Sequence, residues 1–240
     1  MNTIFLRRIA AIGMTALAAA FLSAAAGLPI QTASGRKSDP SPGAHQVRPD
    51  MDEHDKWRDR NFPMDAALDL AGLKPGMKVA EIGAGWGYLS FKLAARVAPG
   101  GTVLAEEIEP KRLGQLEARA AKRGLKNIET VLGTETDPRL PAGSLDMIFI
   151  HAVIQWIENR AAFFRTAGEA LKPDGRLVLI EPETEGDDPV LNVAESGGFP
   201  TRAGYVAIFR EAGYEVVMVE KKPGWKFPMF VLRKSVSRRP

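Results

Sequence analysis

The chain has 240 residues, with 32 Lys/Arg against 29 Asp/Glu and a hydrophobic fraction of 45%. That balance excludes a disordered chain and fits one core of ordinary size. Cysteine is absent, which rules out disulfides, a thiol nucleophile, Cys-ligated zinc and Cys-held iron–sulfur clusters.

In chain order, Arg7 and Arg8 precede an apolar, Ala-rich run that ends in small residues near Ala26 and Ala33. This layout predicts a signal peptide over 1–33 and an exported, periplasmic protein. An uncleaved leader tethered to the inner membrane is the other reading, because the run from Ile9 to Leu28 approaches the length of a spanning helix. Membrane contact would then be through the leader alone. Residues 1–26 carry two Arg and no acid, so without them the net charge falls from +3 to +1. The charge therefore gives no argument for a nucleic-acid partner. Residues 34–50, rich in Pro, Ser, Gly and charge, predict a linker, and 51–240 the folded domain.

Residues 51–72 predict a helix in at least their second half, with Pro63 in a first turn and Gly72 as a stop. The pattern then alternates. Strands are predicted at 77–83, 102–108, 127–133, 145–150 and 176–182. Helices are predicted between them at 88–98, 111–124 and 159–175, with a loop at 137–144. Such alternation means βαβ crossovers and a mostly parallel sheet covered on both faces. A helix at 201–213 precedes two strands, 214–220 and 227–234, joined by a short Pro-Gly turn, which predicts an antiparallel hairpin. Seven Lys/Arg and no acid over 221–240 read as a solubilising strand edge and tail. The acidic stretch 181–189 reads as a solvated loop.

The first strand leads into "VAEIGAGWGYLS", with Gly83, Gly85 and Gly87 at the strand-to-helix turn. Ligands of open α/β sheets bind beyond the carboxyl ends of the strands, and glycine lets them touch the main chain. Two ligand classes fit such a loop. A dinucleotide fingerprint needs a sixth-position Gly, where Tyr88 stands. The carboxylate of Glu81 instead suits a ligand with an ammonium group, such as S-adenosyl-L-methionine, and would repel a pyrophosphate. One βα unit later stand Glu106 and Glu107, where an acid can accept both ribose hydroxyls. Side chains alternate along a strand, and the phase of Val103 and Ala105 selects Glu107, leaving Glu106 as a surface or salt-bridged residue. Ile108 could pack on the adenine.

On these motifs, together with "VLAEEIEP", "LDMIFIHAVIQW" and "LKPDGRLVLIEP", residues 63–185 resemble a class I S-adenosylmethionine-dependent methyltransferase. The leader and "GLKPGMKV" are similar to an exported branch of that family. The resemblance implies a Rossmann-like, doubly wound α/β fold, a mostly parallel seven-stranded sheet with a C-terminal antiparallel hairpin. It implies that Glu81, Gly83, Ala84, Gly85 and Gly87 line the methionine part and that Glu107 holds the ribose. Thr134 and Glu135 would flank the adenine, Thr134 standing where members often carry Asp. His151, leaving the fourth strand, would face the sulfonium and substrate, as a general base or in a packing role. Trp86, bulkier than the usual residue, would wall off the site or alter ligand binding. The charged segment 52–60 reads as a solvated helix or as a lid. Trp156 reads as core more readily than as a substrate platform. No Asn/Asp-Pro-Pro-Tyr element follows the fourth strand, and no recognition domain is added, so a small-molecule acceptor is expected. A non-catalytic, methyltransferase-like binding protein of the cell envelope is the alternative.

Overall fold

The computed structural model describes residues 51–186 and 199–235. The signal peptide expected at 1–33, the linker at 34–50 and parts of the expected domain lie outside that range. Two helices come first, α1 (Met51–Asn61) and α2 (Met64–Ala71). Then follow β1 (Lys78–Ile82), α3 (Tyr88–Val97), β2 (Thr102–Glu107), α4 (Pro110–Lys122), β3 (Ile128–Leu132) and β4 (Leu145–His151). The chain continues through α5 (Arg160–Glu169), β5 (Leu171–Ile180), α6 (Arg202–Glu211), β6 (Tyr214–Glu220) and β7 (Met229–Lys234).

The strands form one sheet in the order β3-β2-β1-β4-β5-β7-β6. β1 to β5 are parallel, and β7 runs antiparallel to both β5 and β6. This is the α/β, doubly wound arrangement expected. Strand order reverses between β1 and β4, so a crevice opens beyond their carboxyl ends. Alternation along the strands builds the two faces. Val79, Val103, Phe149 and Val178 pack on α2 and α3. Ile82, Leu104, Ile148, Ile150 and Leu177 pack on α5 and α6 through Phe163, Phe164, Tyr205 and Phe209. α4 joins the α3 side through Leu116 and Ala120 against Ala105. Asn159 caps α5 by accepting the Ala162 N–H at 3.2 Å, and Thr201 caps α6 by accepting that of Gly204 at 3.0 Å. Each such cap is worth about 1 kcal/mol.

Locally, one expectation is met and one changes. The helix expected in the second half of 51–72 is α2, opened by Pro63 and stopped by Gly72 in the left-handed region, and the first half forms a separate helix, α1, because Pro63 lacks an N–H and restricts the residue before it. The helix expected to continue through 175 stops at Glu169, and Leu171 already pairs with Leu145. Lys172 precedes Pro173, which favours extended backbone there, and the strand absorbs the irregularity as a register shift between Leu145 and Met147. The basic C-terminal strand also is not an edge. β7 lies inside the sheet, with Arg233 paired to Glu215 across to β6.

Candidate active site

Gly83, Gly85 and Gly87 all take positive φ (+73°, +55° and +91°), so the turn from β1 to α3 needs them. Their surroundings differ. A Cβ on Gly83 would lie 2.4 Å from Val153, and one on Gly87 2.5 Å from Phe91. One on Gly85 meets nothing within 4 Å. The loop is thus gripped at both ends and open in its middle. Gly87 sits at the N-cap of α3 and offers no side-chain cap; in the first turn the Ser90 N–H is directed at the Glu81 carboxyl, and the helix start keeps its partial positive charge. Glu81 is buried below the loop and accepts the hydroxyl of Ser90 in the first turn of α3. Burial pushes its carboxyl up to about 8, against the opposing pull of Ser90 and Arg58.

Glu107 lies on the same sheet face as Glu81. Its carboxylate accepts the N–H groups of Gly85 at 3.0 Å, Ile108 at 2.9 Å and Glu109 at 3.1 Å. Three of about four acceptor positions are therefore used, and Arg112 stands 3.7 Å away. Glu106 corrects the sequence reading. It is 2% exposed, accepts the Gly83 N–H at 3.1 Å and fills the place that a Cβ on Gly133 would take. Burial pushes it, too, up to about 8. Its carbonyl accepts the Ala84 N–H at 2.7 Å. The two adjacent glutamates thus hold the glycine loop from opposite faces. Ile108 is 47% exposed beside this loop. Thr134 spends its hydroxyl within its own turn, on the carbonyl and N–H of Asp137, and Glu135 is exposed.

His151 ends β4. Its Nδ1 lies 2.9 Å from the Ile180 carbonyl, which can only accept, so Nδ1 carries the proton and Nε2 presents a lone pair. Nε2 is buried and has no hydrogen-bond partner among the described residues. Burial, then the charge of Arg58, push the imidazole down to about 3. Phe62 and Phe227 pack on its ring with centroids 5.4 and 6.2 Å away.

Glu181 went unseen in the sequence, grouped with a solvated acidic loop. It is fully buried, and its Oε1 accepts the N–H groups of Val153 at 2.7 Å and Ile154 at 3.2 Å. It thereby fixes the loop after β4 that carries Val153 against Gly83. The period-two phase of the buried Leu177 and Leu179 continues to Glu181, and that signal could have found it. Glu183, in the same stretch, pairs with Arg202 and Lys221.

α1 is docked through its charges, while most of its residues stay exposed. Asp55 pairs with Arg119 on α4 at 2.6 Å and Asp52 with Arg123, which caps the end of α4, at 2.7 Å. Asp59 accepts the Tyr88 hydroxyl at 2.9 Å and pairs with Lys92 at 2.8 Å, both on α3. Trp86 does not wall off the crevice. Its indole N–H donates to Gln115 at 2.7 Å and the Arg112 guanidinium covers its ring at 5.0 Å, which holds it against α4. Trp156 is 64% exposed, so it is not core.

Residues 73–198 match a family model described as a methyltransferase domain. The chain is similar to nocamycin O-methyltransferase of Saccharothrix syringae, 36% identical over 115 residues, covering 48% of this chain and 41% of that protein. It is similar to the ubiquinone/menaquinone biosynthesis C-methyltransferase UbiE of Ectopseudomonas mendocina, 26% identical over 133 residues, covering 55% and 52%. The chain thus spans about half the length, or less, of these curated relatives. Among solved structures, a SAM dependent methyltransferase from Aquifex aeolicus superposes with a TM-score of 0.65 at 23% identity, over 77% of this chain and 99% of that one. At that identity the likeness shows the fold.

Proposed function

The chain belongs to the class I S-adenosylmethionine-dependent methyltransferase family, and on that premise we propose that it transfers a methyl group from S-adenosylmethionine to a small-molecule acceptor. One observation carries the reading. The glycine loop is filled at Gly83 and Gly87 and open at Gly85, with the buried carboxyl of Glu81 beneath it. A zwitterionic amino-acid end fits that place: an ammonium for Glu81, and an anionic end for the uncapped start of α3.

In this reading Glu81, Gly83, Ala84, Gly85 and Gly87 line the methionine part. Glu107 uses its remaining acceptor capacity on the ribose hydroxyls. Ile108 offers an apolar surface to the adenine, with the turn of Thr134 and Glu135 at its edge. The cofactor supplies a methyl group already activated on sulfur, so the chain's own work is binding, orientation and exclusion of water. The α1 lid and the packed rings of Phe62 and Phe227 keep water from His151. At about 3, His151 is too weak a base to hold a proton at neutral pH. Its Nε2 lone pair accepts a hydrogen bond from the acceptor and aims the attacking atom. Relatives named for O- and C-methylation of small molecules support the choice of acceptor class.

Calorimetric titration of the chain with S-adenosylmethionine, S-adenosylhomocysteine and NAD tests this. Micromolar binding of both sulfur nucleosides, one per chain, and none of NAD is expected. No heat with either nucleoside, or tighter binding of NAD, contradicts it.

A further inference from the structure

Arg58, on α1, has no part in the reading so far. Its guanidinium covers the Tyr88 ring at 4.5 Å, over the first residue of α3. Tyr88 follows Gly87 directly, and Phe62, whose N–H donates to the Arg58 carbonyl one turn on, packs on the His151 ring, so Arg58 sits between the glycine loop and the end of β4, where its charge acts on Glu81 and His151. The side chain is half-buried, and among the described residues it makes no hydrogen bond or ion pair, although Asp52, Asp55 and Asp59 on its own helix all do. The desolvation of this cation lowers its pKa from the ordinary value, against the opposing pull of Glu81, Tyr88 and Asp55. A half-buried guanidinium held against an aromatic face, with its planar donors unspent, is arranged for an anion from outside the chain.

We propose that Arg58 is the counter-charge for the α-carboxylate of the bound sulfur nucleoside, carried into the site by α1. The inference rests on the cofactor reading and deepens it. An α-amino acid bears one charge of each sign, and Glu81 complements only the ammonium. Arg58 and the uncapped start of α3 supply positive charge beside it, so the pair Glu81 and Arg58 matches both ends of the zwitterion. The lid then has a binding role, because it carries one half of the recognition.

The test compares S-adenosylhomocysteine with its decarboxylated analogue, which keeps the ammonium, by titration of the full chain and of Arg58→Gln. The wild-type chain is expected to bind S-adenosylhomocysteine at least tenfold more tightly than the analogue. Arg58→Gln should weaken S-adenosylhomocysteine at least tenfold, leave the analogue unchanged and so abolish the preference. Arg58→Lys should retain part of it, since a single ammonium lacks the planar fork. Equal binding of the two ligands by the wild-type chain overturns the proposal and leaves the cofactor reading standing, whether or not the variant folds. Equal weakening of both ligands by Arg58→Gln overturns it in favour of a packing role for the side chain. Binding of neither ligand by the wild-type chain removes both readings together.

Discussion

At the scale of single residues, the three glycines of the loop have separable duties. A side chain at Gly85 costs only the positive-φ strain, about 1–2 kcal/mol, because nothing lies within 4 Å of its Cβ. A side chain at Gly87 adds contacts at 2.5 Å with Phe91 and 2.9 Å with Leu116, two residues of the packed interior. Gly85→Ala is therefore expected to fold, with a modestly lowered melting temperature, and to bind S-adenosylhomocysteine at least tenfold more weakly. Gly87→Ala is expected to lose more stability, by 2 kcal/mol or more on the order-of-magnitude costs of strain and overpacking. Thermal unfolding and titration of both variants check this, and wild-type affinity in Gly85→Ala would count against the loop as the binding surface. Glu107 could be read from the sequence because its phase along β2 is that of Val103 and Ala105. Glu106 could not, because what makes it interior is Gly133, which comes from the next strand's loop and leaves room for its carboxyl.

Among elements, the sheet and its helices were legible because apolar periodicity and Gly-Pro punctuation agree there. The strands at 78–82, 102–107, 128–132 and 145–151 fall within one residue of their expected limits. Pro63 and Gly72 marked α2 correctly; legibility failed where a proline overrode periodicity, at Pro173, and where an element is held by charge instead of by an apolar stripe. α1 is the clear instance. An isolated helix of 11 residues is marginal in water, and this one offers little apolar surface. Its docking rests on Asp52, Asp55 and Asp59, whose partners lie 29 to 71 residues away on α3, α4 and the C-cap of α4. No local pattern contains those pairings. The same reason hid Arg58, whose environment is made of Glu81, Tyr88 and His151 from three other elements.

Over the whole molecule, the site is a concentration of buried titratable groups that the fold tolerates in their neutral forms. Glu81, Glu106 and Glu181 are each pushed by burial up to about 8 from a usual 4.5. A carboxyl that keeps its proton longer when folded favours the folded state fully below its unfolded range, and that advantage is lost as pH rises through about 8. His151 has the opposite sign. Its folded value of about 3 lies below the usual 6.5, so its contribution is present above 6.5 and lost as pH falls toward 3. Without ligand, the melting temperature is therefore expected to fall as pH rises from about 6 to about 9, with the usual one-unit steps of proton linkage. Glu106→Gln, which keeps an acceptor for the Gly83 N–H, should fall less steeply over the same range. Parallel declines in the wild-type chain and the variant, measured by calorimetry, would contradict the assignment of that proton to Glu106. Ligand binding should reduce the alkaline loss, because a cation beside Glu81 favours its ionised form.

A crystal structure of the chain with S-adenosylhomocysteine bound tests the central claim most directly. The ribose hydroxyls are expected within hydrogen-bond reach of Glu107, with the amino-acid end against Gly85 between Glu81 and Arg58. A nucleoside seated elsewhere, or a Trp86 indole swung from Gln115 across the crevice, would contradict the account.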